Sequence, residues 1–200
     1  APSVRLPWRD PFARKAACYM SGTSLMFYGW LTWLSPYYQS LGWAPQRAAL
    51  LQALWSVVQI PVALLISSLA ERRRRWTFWA AFSLACGAAG TSGALWWPVG
   101  PGPGAWMWAA LMAVGVGAGF PLGLSLIAWR TPDGAAAGAT SALALGVGYV
   151  CAAIAPLLIG VLTDLTGGYR LPLGVLLVAG AVQAFAIVSL GGRRHRPAAR

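Results

Sequence analysis

The sequence predicts an all-α membrane protein of six transmembrane helices, and three observations carry that reading. Of the 200 residues, 58% are hydrophobic and only 10% charged, a composition outside the usual range of soluble domains. Apolar runs of about 20 residues or more recur between short polar breaks, and that length lets an α-helix cross roughly 30 Å of hydrocarbon. The positive charges, finally, gather at alternate breaks.

Residues 1–15 form a basic, proline-containing lead-in with Arg5, Arg9, Arg14 and Lys15. The apolar run behind it is too long for the core of a signal peptide and no small-residue cleavage site closes it, so the lead-in reads as a cytoplasmic segment or linker with more chain expected upstream. Six spans follow, at about residues 16–38, 45–70, 76–97, 105–129, 135–163 and 172–191, and a basic tail occupies 192–200. Lipid offers no partner for backbone polar groups, so such runs must be helices packed as a bundle.

The first span is expected to break or end at Pro36, and Pro45 opens the second, where its missing N–H costs nothing. Glycine and proline fill the connection from Pro98 to Gly104, which predicts a short exposed turn. The fourth span carries Gly115, Gly119 and Gly123 at steps of four, and the fifth carries Gly148, Ala152, Pro156 and Gly160. Such rows let helices approach closely; they read as packing within this bundle, with a sliding contact against another bundle as the alternative. The sixth span has only Gln183 and Ser189 as polar side chains and is expected to face lipid.

A formal charge of +11 invites a nucleic-acid reading until its distribution is followed. Thirteen of the fifteen basic residues fall on one side if the spans alternate direction, leaving only Arg47 and Arg170 on the other. This is the positive-inside bias, and it places both termini in the cytoplasm, in a membrane of the bacterial inner type. Cations split among four short segments joined by apolar helices do not make a nucleic-acid surface. Tryptophans flank the predicted span ends as an aromatic belt, except Trp30, Trp33 and Trp55, which lie deeper, where an indole N–H wants a partner. Cys18, Cys86 and Cys151 stand in three different spans and read as small packing residues, and the single His195 lies in the tail. With no nucleophile–base pair, phosphate loop or metal cluster, the reading is a non-enzyme without cofactor or metal.

One pattern inside the spans asks for a function. Ser21, Ser24, Tyr28, Thr32 and Ser35 recur at steps of three and four, which brings them close to one face of a helix. The second span repeats the idea with Gln52, Ser56 and Gln59, and the fifth adds Thr140, Ser141 and Tyr149. A single membrane hydroxyl often bonds back to its own helix. A glutamine amide, costly to strand in hydrocarbon, must face protein or water. Two explanations stand: the stripes line a shared aqueous cavity, or they knit the helices together.

Several longer segments are specific: "LPWRDPFA" before the first span, "FYGWLTWLSPYYQSLGW" at its end, "GAGFPLGLSLIAWRTPD" closing the fourth, and "GVGYVCAAIAPLLIGVLTDLTGGYRLPL" across the fifth. On these the chain resembles, over nearly its whole length, the C-terminal half of a major facilitator superfamily transporter of the cyanate/nitroimidazole branch. The resemblance implies half of a twelve-helix bundle, with these spans as the seventh to twelfth. It also implies a solute site between two six-helix halves, walled here by the first, second, fourth and fifth spans, with the third and sixth peripheral. Thr23 and Leu145 stand where the family pattern leads one to expect glutamine.

The function expected is transmembrane transport of a small solute, either a cyanate-like anion or a small neutral or aromatic compound, by alternating access. The expected solute contacts are Thr23, Ser24, Tyr28, Gln52, Gln59 and Tyr149, with Trp33 as an aromatic neighbour. Expected partners are the lipid bilayer, the solute and an N-terminal six-helix half, from the same full-length chain or a second protomer. The rival readings are a non-transporting membrane scaffold or sensor, and a truncated, inactive fragment.

Overall fold

A computed structural model describes residues 6–99 and 104–191. The described residues form six helices: α1 (Pro11–Ser40), α2 (Pro45–Arg73), α3 (Trp76–Trp96), α4 (Gly104–Arg130), α5 (Gly134–Thr166) and α6 (Arg170–Gly191). The first residues of the lead-in, the centre of the Pro98–Gly104 connection, His195 and the rest of the 192–200 tail lie outside the described residues.

Local chemistry explains the boundaries. Asp10 caps α1 by accepting from Phe12 N at 2.9 Å, and Pro11 occupies the first turn. The helix therefore starts five residues ahead of the apolar run and takes in Arg14 and Lys15, which the sequence alone assigns to the lead-in. Pro36 does not end α1, which continues to Ser40. Pro61, Pro121 and Pro156 likewise sit inside helices, as membrane helices allow when neighbouring groups re-satisfy the freed carbonyls. The run of arginines ends α2 through Arg74, which takes the left-handed conformation at φ 49° while its N–H bonds to Glu71 O. Asp133 Oδ1 caps α5 by accepting from Ala136 N at 2.8 Å, and left-handed Gly167 closes it.

Five of the six helices, α2 to α6, are long and apolar enough to cross a membrane by length and composition. α1 is the exception, because serine, threonine and tyrosine dilute its hydrophobicity. It is also well enclosed: it packs against α5 and α6, and against α2 and α4. Protein neighbours therefore satisfy much of the polarity that lipid would penalise. Trp30 Nε1 donates to Thr91 Oγ1 at 3.0 Å, Tyr37 Oη to Ala94 O at 2.7 Å, and Tyr19 Oη to Gly119 O at 2.9 Å.

Both small-residue rows are spent inside this bundle. A Cβ on Gly119 would meet Thr23 and one on Gly123 would meet Met20; one on Gly148 would meet Ser24 and one on Gly160 would meet Trp33. The sixth helix does not simply face lipid. Gln183 is buried and points at α1, and the opposite face, with Val178, Phe185 and Val188, is exposed.

The core falls into two packed layers. One, rich in Trp30, Leu34, Trp55, Met112 and Leu176, occupies the end away from the arginines. The other, around Tyr19, Met20, Trp76, Leu122 and Ile187, occupies the basic end.

Candidate functional site

Between these layers, near the midpoint of the helices, lies a cavity of about 480 Å³ walled by α1, α2, α4 and α5. α1 contributes Thr23, Ser24, Phe27 and Tyr28; α2 contributes Ser56, Gln59, Ile60 and Ala63. Val116, Gly117, Phe120 and Pro121 come from α4, and Tyr149 from α5. A 3.6-residue turn explains the selection on α1, since Ser24 and Tyr28 share a face. On α4 the close approach is made possible by Gly117, where a Cβ would come within 3.0 Å of Gln59 Cα. α2 and α5 make no contact with each other among the described residues, so the cavity is open between them.

Of the seven side chains expected to meet solute, five reach this cavity: Thr23, Ser24, Tyr28, Gln59 and Tyr149. Two do not. Nine residues on from Ser24, or half a turn round the helix, Trp33 points the other way. Its Nε1 donates to Pro156 O at 3.0 Å, and its ring packs against Tyr169. Gln52 shares the face of Gln59 but lies roughly 10 Å further along α2 by helix rise. Its amide nitrogen and oxygen are both buried there without a partner among the described residues, as is the Trp55 indole nitrogen.

The polar stripes thus divide between the two explanations. Ser21 donates back to Ala17 O at 2.8 Å and Thr32 is exposed. Ser35 accepts from Gln39 Nε2 at 3.1 Å, away from the cavity. Thr140 lines a different cavity at the basic end. Thr23 does both jobs: it touches the cavity, but its hydroxyl donates to Tyr19 O at 3.1 Å and accepts from Gln183 Nε2 at 2.9 Å. Thr23→Val would leave the buried Gln183 amide unpaired. It is expected to cost about 2 kcal/mol, much of it recovered in the Thr23→Val/Gln183→Leu double variant, where neither polar group remains. A double-mutant cycle on unfolding of the detergent-purified full-length protein measures this coupling; strictly additive losses would refute it.

Sequence reasoning missed Phe27 and Phe120. Neither carries a polar atom, so nothing in the chain distinguishes them from core aromatics. Phe27 packs edge-on against Tyr28 at 5.0 Å between ring centroids and also meets Trp55 at 5.5 Å. With Phe120 and Tyr149 they give the cavity an aromatic lining, to which Ser24, Ser56 and Gln59 add hydrogen-bonding groups. Ser56 donates to Gln52 O at 3.0 Å and Gln59 Nε2 to Trp55 O at 3.0 Å, which leaves the Ser56 oxygen and the Gln59 carbonyl as acceptors. No carboxylate, ammonium or guanidinium lines this cavity among the described residues.

No family model matches the chain. Over 173 residues the chain is 30% identical to the 2-nitroimidazole transporter of Escherichia coli (strain K12), across 86% of this chain and 43% of that protein. The chain is similar to a major facilitator superfamily member. It spans less than half the length of that curated relative. The match bears out the resemblance drawn from the sequence. Together with the five apolar helices it makes this facilitator-like chain an integral membrane protein of helical type.

Proposed function

We propose that this chain is one six-helix half of a facilitator that moves a small, uncharged, planar solute across the bacterial cytoplasmic membrane by alternating access, with its basic end in the cytoplasm. The observation that carries the reading is the mid-height cavity, lined by aromatic rings with a few neutral hydrogen-bonding groups and, among the described residues, no cation. Among the described residues of this half, an anion of cyanate type stripped of water meets no compensating charge, whereas a compact heteroaromatic ring finds faces to stack on and a Gln59 amide to bond. The name of the E. coli relative, a 2-nitroimidazole transporter, points to the same chemistry. Thr23, Ser24, Tyr28, Gln59 and Tyr149 are the proposed contacts.

The open side of the cavity supports the second half. α2 and α5 border the gap and are the least buried of the apolar helices. They carry continuous exposed apolar faces, with Val57, Ile60 and Leu64 on one and Val150, Ile154 and Leu157 on the other. A partner half seated there would complete the cavity walls and could rock against them.

Cysteine substitution tests the reading, in full-length protein lacking Cys18, Cys86 and Cys151. A water-soluble thiol reagent is expected to label Ser24→Cys, Tyr28→Cys, Gln59→Cys and Tyr149→Cys, and a bound heteroaromatic solute to protect them; Trp33→Cys is expected to stay unlabelled. Silence at all four positions, with or without solute, would leave the membrane scaffold as the better account.

A further inference from the structure

A second cavity, of about 550 Å³, lies at the basic end, where the start of α1, the α4–α5 connection, the first turns of α5 and the end of α6 meet. It has no part in the proposed solute path. Among the described residues two cations line it, Lys15 and Arg130, with Asp10 as the one carboxylate. Asp10 is occupied as the cap of α1, accepting from Phe12 N at 2.9 Å. Lys15 spends one of its three donors on Ser189 O at 3.2 Å. Arg130 makes no hydrogen bond to another described residue, and neither does the Thr140 hydroxyl, although Thr140 is only 3% exposed and lines the cavity. Unspent ammonium, guanidinium and hydroxyl donors converging on one space are a receptor for a phosphate-type oxyanion.

The surroundings are not those of a site for a free ion. Phe12, Pro132 and Leu190 make much of the wall apolar. Farther from the basic end, the cleft between α5 and α6 contains a groove of about 170 Å³ lined only by apolar side chains, among them Leu158, Val175, Val178 and Val182, with Leu25 of α1 as its floor. From Val182 to Ser189 the helix rises roughly 10 Å, well within the length of an acyl chain. The cationic pocket lies at the end of the bundle where the arginines gather, and α1, α5 and α6 border both it and the apolar groove.

We infer that pocket and groove together bind an anionic glycerophospholipid, its phosphodiester held by Lys15, Arg130 and Thr140 and one acyl chain laid along the α5–α6 groove. Cationic pockets between membrane helices attract such headgroups, with each nearby cation strengthening binding roughly fivefold. Phosphatidylglycerol fits the chemistry; phosphatidylcholine, whose phosphate is neutralised by its own ammonium, does not.

Native mass spectrometry of the detergent-purified full-length protein tests this with three probes: phosphatidylglycerol, phosphatidylcholine of the same chains, and glycerol 3-phosphate as a headgroup without chains. Phosphatidylglycerol is expected to be retained over phosphatidylcholine, and retention is expected to fall roughly fivefold for each of Lys15→Ala and Arg130→Ala. The charge-keeping Lys15→Arg/Arg130→Lys pair should hold the lipid, and glycerol 3-phosphate should fail to compete. Equal retention of the two lipids, unchanged retention in the alanine variants, or displacement by glycerol 3-phosphate as effective as by the lipid would each overturn the assignment. Unfolding midpoints identify any variant that has lost its fold, and Thr140→Val then serves as the milder variant, with reduced retention expected and unchanged retention counting against the site.

Discussion

Gly115→Leu is expected to destabilise the protein by roughly 3 kcal/mol or more, the upper range for overpacking a close-packed interior. α3 and α4 cross at Gly87 and Gly115 with their backbones in contact. Even the first carbon of a side chain on Gly115 would come within 2.6 Å of Gly87 N and 2.9 Å of Ser83 O. Those are main-chain atoms of a neighbouring helix, so no rotamer change relieves the clash and the two helices must separate. Separation would disturb the Trp30–Thr91 and Tyr37–Ala94 hydrogen bonds that tie α3 to α1. Gly138 supplies the contrast: a Cβ there meets nothing within 4 Å. Gly138→Ala should therefore be neutral or stabilising by up to about 1 kcal/mol through helix propensity. Denaturant unfolding of the full-length protein in detergent separates the two. An unchanged midpoint for Gly115→Leu would mean that the α3–α4 crossing is looser than described.

Ser56→Trp is expected to abolish most transport, by at least about tenfold, while leaving the fold in place. Ser56 is exposed and lines the mid-height cavity, so an indole there grows into the space proposed for solute without displacing packed core. Tryptophan is the bulkiest side chain that could be placed in this space of about 480 Å³. Phe185→Trp on α6, an exposed position that does not line the cavity, should transport normally. The measurement is uptake of a neutral heteroaromatic solute by vesicles containing the full-length protein. Wild-type uptake by Ser56→Trp would remove this cavity from the solute path. Loss in both variants would indicate damage to the membrane bundle instead.

The candidate site was partly legible because polarity inside an apolar run is a signal. Ser24, Tyr28, Gln59 and Tyr149 could be named from the chain since each is a hydrogen-bonding side chain where hydrocarbon would penalise it. The same signal selected Gln52, on the face of Gln59 but roughly 10 Å along α2, and Trp33, named as an aromatic neighbour but half a turn round α1 from Ser24. Phe27 and Phe120 were silent, because an aromatic ring on a cavity wall and one in a core are the same residue in the same kind of run. Gln183 misled for a related reason. One glutamine among apolar neighbours reads as an isolated exception on a lipid-facing helix, and only the neighbour it bonds reveals its purpose.

What the sequence determined by itself was the helical membrane character, the approximate reach of the apolar runs and the concentration of charge at alternate breaks. These follow from solvation, which acts on each stretch of chain separately: apolar length sets what can enter hydrocarbon, and charge sets what cannot. Tertiary structure decided which polar groups face a cavity and which tie helices together, that Pro36 lies inside α1 instead of ending it, and that two cations far apart in the chain line one cavity. Those outcomes depend on the rotation and height of one helix against another, set by side chains meeting from distant parts of the chain, and no local stretch carries that information.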